Sequence, residues 1–170
     1  TEYWMSFVKT YEYTYEGINY YLVYNGWGTN IYSAVVLPGN YKFTGNVTIP
    51  ETIRTEFGNF TVSKIGDLAF DGTDITGIEL PESINIIGDL AFRGCKFLSE
   101  INIPDNVKII GATAFSGSGL NGTLIYPECK VGKAAFATTN YDTVYVPEGV
   151  TVLPEYVFLF AKKLEKINLP

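Results

Sequence analysis

The feature that most constrains this chain is a repeat. Phenylalanines stand at Phe70, Phe92, Phe115, Phe136 and Phe158, separated by 22, 23, 21 and 22 residues. Prolines keep step at Pro81, Pro104, Pro127, Pro147 and Pro170, separated by 23, 23, 20 and 23. A unit of this length cannot bury its own apolar side. It must stack on its copies, so that successive rungs share one continuous core.

Every rung has the same parts. A short alternating stretch runs into each proline: Ile78-Glu79-Leu80-Pro81, Ile101-Asn102-Ile103-Pro104, Val144-Tyr145-Val146-Pro147 and Ile167-Asn168-Leu169-Pro170. A period of two sends the first and third residues inward and the second outward. Proline then ends the strand, because it has no N–H for a ladder. Spaced apolar positions follow, such as Ile84 and Ile87, or Val107 and Ile110. Next comes a Gly-x-x-Ala-Phe-x-Gly segment, at Gly66 to Gly72, Gly88 to Gly94 and Gly111 to Gly117. Glycines this close leave room for about one helical turn, so short 3₁₀ or irregular turns are expected and no long helix. Stacked rungs place parallel strands about 4.8 Å apart, with right-handed crossovers. The phenylalanines should form one buried column. Thr73, Cys95, Ser118, Thr139 and Ala161, each three residues after a column phenylalanine, should form a second.

The first 60 residues differ in composition, holding 15 of the 26 aromatic residues. Tyr11, Tyr13 and Tyr15 alternate, as do Ile18, Tyr20, Leu22 and Tyr24, with Glu16-Gly17 between the runs. This predicts a hairpin, with a third strand near Ile31 to Leu37. Residues 1–43 are therefore expected to form an antiparallel β cap over the first rung, and residues 44–170 a solenoid of about five rungs after a lead-in hairpin. Trp27, between Gly26 and Gly28, is a candidate exposed aromatic for a binding platform, or it folds back onto the cap.

Chemistry-bearing motifs are few. Histidine is absent and the formal net charge is −6. These exclude His-based triads and His metal sites and argue against nucleic acid and anionic membranes as partners. No apolar run is long enough to span a bilayer. Asp67, Asp71 and Asp74 lack the spacing of an EF-hand and read as solvated turn carboxylates. Cys95 and Cys129 fall in different columns and are expected as free thiols. No nucleophile elbow, P-loop, dinucleotide fingerprint or zinc motif is present, so neither catalytic residues nor a cofactor are expected. Three sequons, at Asn46, Asn59 and Asn121, matter only in a eukaryotic secretory pathway.

The stretches INIPDNVKIIGATAF and IGDLAFRGCKFLSEINIP resemble the BspA-like class of leucine-rich repeats found in bacterial cell-surface proteins. The resemblance covers roughly residues 44 to 170, and GNVTIPETIRTEFGNFTVSKIGDLAF is similar to that family's lead-in hairpin. The chain departs from the pattern in two places. The rung around Pro127 to Gly132 is short, and the last rung has Leu153-Pro154 and Val157-Phe158 where the family has Ile-Gly and Ala-Phe. Membership implies a β-rich leucine-rich-repeat solenoid that serves as an exported, surface-associated binding or adhesion module without catalytic residues.

The outward strand positions form the expected contact surface: Glu79, Asn102, Ile125, Tyr145 and Asn168, beside Gly77, Glu100, Thr123, Thr143 and Lys166. Ile125 and Tyr145 would be apolar neighbours on a polar sheet, as at an interface centre, or would merely cover each other. Protein on a host or neighbouring cell is the first partner class. Glycans bound by the N-terminal aromatics are the second, and a passive spacer is the third reading. Thr1 is not a natural start, so a removed signal segment and an extracellular or cell-surface location are expected. The sequence stops at a rung-opening strand. This leads to the expectation of a longer array, or of an edge that packs on another molecule, including a second copy.

Overall fold

A computed structural model describes residues 8–25, 31–39 and 43–170. The N-terminal strands are β1 (Val8–Tyr15), β2 (Ile18–Asn25) and β3 (Ile31–Val36). The repeats carry β4 (Thr44–Thr48), β5 (Thr52–Thr55), β6 (Gly58–Ile65), β7 (Asp74–Glu79), β8 (Ile86–Ile87), β9 (Ile109–Ile110), β10 (Asn121–Ile125), β11 (Lys130–Val131), β12 (Asn140–Tyr145) and β13 (Lys166–Asn168). No helix occurs among the described residues.

β1, β2 and β3 form an antiparallel meander. Its first turn has Glu16 at φ 50° and Gly17 at φ 79°. Two successive left-handed residues match the twist of a two-residue hairpin. β3 then pairs in parallel with β6, and the sheet continues through β8, β9 and β11, while β5 folds back antiparallel on β6 as the lead-in hairpin. The N-terminal strands thus share one sheet with a wall of the repeats. The opposite wall carries β4 beside β7, and β10 beside β12 and β13, all parallel.

The third wall corrects one expectation: its turns are not 3₁₀. In the rung of Phe70, the amides of Ala69, Asp71 and Thr73 close turns onto Gly66, Leu68 and Phe70. The intervening amides of Leu68, Phe70 and Gly72 instead donate to Asp89, Ala91 and Arg93 of the next rung, at 2.7–2.9 Å. The same alternation recurs from Leu90, Phe92 and Gly94 to Ala112, Ala114 and Ser116. A 3₁₀ segment would spend consecutive amides internally and keep φ near −60°. Here Leu68, Leu90, Thr113, Ala134 and Tyr156 sit at φ between 53° and 61°. The left-handed residue turns every second N–H outward along the stack, and the rung-to-rung bonds offset its steric cost.

The two glycines of the motif act differently. A Cβ on Gly88 would lie 2.8 Å from the carbonyl carbon of Gly66 and 2.7 Å from the amide of Asp67. Only hydrogen lets the rungs approach there. A Cβ on Gly94 would make only ordinary van der Waals contact, 3.7 Å from Gly72 Cα, so there it is φ 68° that favours glycine. At the position equivalent to Gly94 the later rungs carry Thr138 and Phe160, at φ 58° and 55°.

Phe70, Phe92, Phe115 and Phe136 are fully buried, with ring centroids 5.3 Å apart and planes within 7°. The column starts one layer earlier than the repeat suggests, with Phe43 set 5.4 Å from Phe70. Phe158 is only half-buried, against expectation, although the rings of Phe136 and Tyr126 pack on it at 6.3 and 6.1 Å. Ala161 is likewise half-buried, whereas Thr73, Cys95, Ser118 and Thr139 are buried. Cys95 donates its thiol to the Phe70 carbonyl at 3.0 Å and lies 3.5 Å from Thr73 Oγ1.

Candidate functional site

The wall bearing the I-x-I-P strands presents the outward side chains in register. Thr48 pairs with Glu79, and Ile125 pairs with Tyr145, which pairs with Asn168. Glu79 and Asn102 are exposed, and Ile125 and Tyr145 are 66% and 47% exposed. Asn168 is half-buried and donates from Nδ2 to the Val144 carbonyl at 3.4 Å. In the adjacent row Glu100, Thr123 and Lys166 are exposed, and Gly77 and Thr143 are half-buried. Trp27 lies outside the described residues. Thr48 belongs to the row and donates to Glu79 Oε2 at 3.1 Å. Its signal was Val47-Thr48-Ile49-Pro50, which has the same alternation as the later strands.

The middle of this wall departs from the expected ladder. Ile101, Asn102 and Ile103 are not a hydrogen-bonded strand, and their backbone bonds to neither neighbouring rung. The opening is pinned at both ends. Asn121 donates to the Ser99 carbonyl before it, and Lys130 donates to the Lys108 carbonyl after it. On the other side Asn106 Nδ2 donates to the Glu82 carbonyl at 2.9 Å. Ile101 is half-buried, whereas Ile78, Leu124 and Val144 at its position are buried; Ile103 is half-buried, as is Leu80 at its position. A cleft of 470 Å³ separates the segment from β10 and another of 370 Å³ separates it from β7. The charged residues lining them are Asp105 and Glu128 in the first, and Glu79 and Glu100 in the second.

Tyr126 occupies the inward position filled by Leu80, Ile103 and Val146 in other rungs. It packs on Phe136 and Phe158, and its buried hydroxyl has no hydrogen-bond partner. Burial raises its pKa above the ordinary tyrosine value. Burial also raises the thiols of Cys95 and Cys129, Lys108 opposing it at the latter. Both cysteines are free. The three aspartates do not form a ligand set. Asp71 receives a two-pronged ion pair from Arg93, one rung on, at 2.7 and 2.6 Å, which corrects its reading as a merely solvated carboxylate. Asp67 accepts from the amide of Asp89 at 3.1 Å. No group of acids and cysteines among the described residues gathers as a metal site.

Registered I-x-I-P strands, a phenylalanine column and rung-to-rung turn bonds define a β-rich leucine-rich-repeat fold with mostly parallel strands. The chain belongs to the BspA-type leucine-rich repeat family, whose model matches six copies over residues 63–170. A leucine rich cell surface protein from Faecalibacterium prausnitzii A2-165 superposes with a TM-score of 0.73 at 26% identity, covering 94% of this chain and 43% of that one. A leucine-rich repeat protein from Bacteroides ovatus ATCC 8483 gives 0.73 at 29% identity, covering 94% and 42%. One from Bacteroides capillosus ATCC 29799 gives 0.62 at 26% identity, covering 80% and 98%. The chain thus spans less than half the length of the first two. Comparison with curated protein sequences gives no match. The family match indicates no enzyme family. No helix among the described residues is long and apolar enough to cross a membrane.

Proposed function

We propose that this chain is a non-catalytic binding or adhesion module, displayed at a bacterial cell surface, that recognises a protein partner through the I-x-I-P face. The observation that carries the reading is the registered pair Ile125 and Tyr145, both exposed, beside the polar side chains of Asn102 and Asn168. An apolar centre with a polar rim is how protein interfaces are organised. The described cell-surface location of the Faecalibacterium relative supports the compartment. In this reading residues 1–43 cap the first rung and residues 44–170 wind as a right-handed solenoid. The test presents the immobilised chain to surface proteins of host and neighbouring cells, identifies a captured protein, and measures its affinity for Ile125→Ser and Tyr145→Ala. A loss of about tenfold or more is expected for either. Unchanged affinity for both removes this face from the interface.

A second reading, glycan binding by the N-terminal aromatics, is favoured by one contact. Tyr11 and Phe57 stack 6.1 Å apart at 6°, and both remain exposed. A glycan array read with Tyr11→Ala and Trp27→Ala separates it from the first.

A further inference from the structure

We propose, building on the reading of the I-x-I-P face as a binding surface, that the cleft between Ile101–Pro104 and β10 takes an extended peptide segment carrying lysine or arginine, which adds as a strand beside Ile101–Ile103. Three observations converge. A parallel wall normally spends its backbone N–H and C=O groups on the neighbouring rungs. Here those of Ile101, Asn102 and Ile103 have no protein partner, although hydrogen-bonded rungs lie before and after them. Unspent strand edges are templates for strand addition, in which main-chain bonds give affinity and alternate side chains give selectivity.

The cleft also has a defined extent. It is closed at one end by the bond from Asn121 to Ser99 and at the other by that from Lys130 to Lys108. Its 470 Å³ is within the usual span for ligand sites, about 300–1,000 Å³. The pinned ends limit the occupant to a short segment lying along the strand.

Charge selects the segment. Asp105 and Glu128 line the cleft, no lysine or arginine lines it, and neither carboxylate is ion-paired. Across the segment, Glu79 and Glu100 line the second cleft, again without a cation. Exposed Ile125 lines the first cleft and offers an apolar contact beside the acids. An extended peptide alternates its side chains, so basic residues interleaved with apolar ones match this lining, whereas an acidic segment would be repelled.

The experiment uses the full chain, isotope-labelled, and a fluorescent peptide of alternating valine and lysine. Controls are the valine–glutamate analogue and a valine–lysine peptide with alternate amides N-methylated. The expected result is binding by anisotropy with amide shifts centred on Ile101–Ile103. N-methylation on the bonding edge should cost about tenfold or more. Asp105→Asn with Glu128→Gln should weaken the lysine peptide and not the fold, read by an unchanged melting curve. Absence of binding overturns the proposal. So does equal binding of the N-methylated peptide, which would mean adsorption by charge alone, or shifts confined to other rungs. The wider reading is tested separately. If the valine–lysine peptide fails while a captured protein still depends on Tyr145, the cleft assignment falls and the binding module stands.

Discussion

The rings of Phe92 and Phe115 lie 5.3 Å apart with their planes 1° from parallel. Rungs at strand spacing hold the rings offset, the arrangement aromatic pairs prefer over a face-to-face sandwich. Both are fully buried and each is packed by a phenylalanine on either side. Phe92→Ala or Phe115→Ala should therefore lower stability by about 3–5 kcal/mol, read as a fall in denaturation midpoint. Phe158→Ala should cost less, since that ring is half-buried. Equal losses at Phe115 and Phe158 would contradict the packing described.

Thr138 is a β-branched residue at φ 58°, exposed, at the position where earlier rungs carry Gly72, Gly94 and Gly117. Left-handed backbone costs a non-glycine residue about 1–2 kcal/mol. Thr138 makes no side-chain hydrogen bond and buries little that would be lost. Thr138→Gly is expected to stabilise the protein by about 1 kcal/mol, part of the gain being offset by the greater freedom of glycine in the unfolded chain. Thermal unfolding checks it, and a lower melting temperature would refute the account of strain.

Much of this architecture was legible because periodicity is a property of the sequence. The registered strands and the columns of Phe70 to Phe136 and of Thr73 to Thr139 follow from residue spacing alone. The turn type did not, because Leu68, Leu90, Thr113 and Ala134 have no intrinsic preference for left-handed backbone. Their conformation is imposed by hydrogen bonds to the next rung, which no local pattern encodes. The outward row on the candidate face can be read from alternation, and Thr48, overlooked because its strand precedes the regular repeat, carries the same signal in Val47-Thr48-Ile49-Pro50. The opening at Ile101–Ile103 could not, since Ile101-Asn102-Ile103-Pro104 matches the pattern as well as the strands that do pair.

Alkaline pH should weaken the fold. Tyr20, Tyr126, Tyr141 and the Cys95 thiol are all held above their ordinary values, each chiefly by burial. The folded chain keeps its protons while the unfolded chain releases them from about pH 8.5 for cysteine and about pH 10 for tyrosine. The unfolded state then binds fewer protons, so stability is full below those values and falls as pH rises through the higher folded ones. Melting temperatures between neutral pH and about pH 10.5 should drop, with the steeper loss past the tyrosine value. The same series for Cys95→Ala should lose only part of the earlier decline, because the Cys129 thiol is also raised by burial and supplies the rest. A flat profile would show that the four groups are not held neutral.

Tyr126→Phe tests a buried tyrosine whose hydroxyl has no hydrogen-bond partner. Removing a tyrosine hydroxyl normally destabilises a protein by about 1 kcal/mol where the group is hydrogen-bonded. The Tyr126 hydroxyl is buried without a partner, so the folded state bears its desolvation with no compensating bond. The ring contacts with Phe136 and Phe158 are retained in phenylalanine. The substitution is expected to leave stability unchanged or raise it by about 1 kcal/mol at neutral pH. It should also soften the alkaline loss, because one buried group can no longer ionise on unfolding. Both effects come from one atom, so they must appear together. A clear loss of stability at neutral pH would mean that the hydroxyl is bonded in solution, and would move Tyr126 from the apolar core into a polar network.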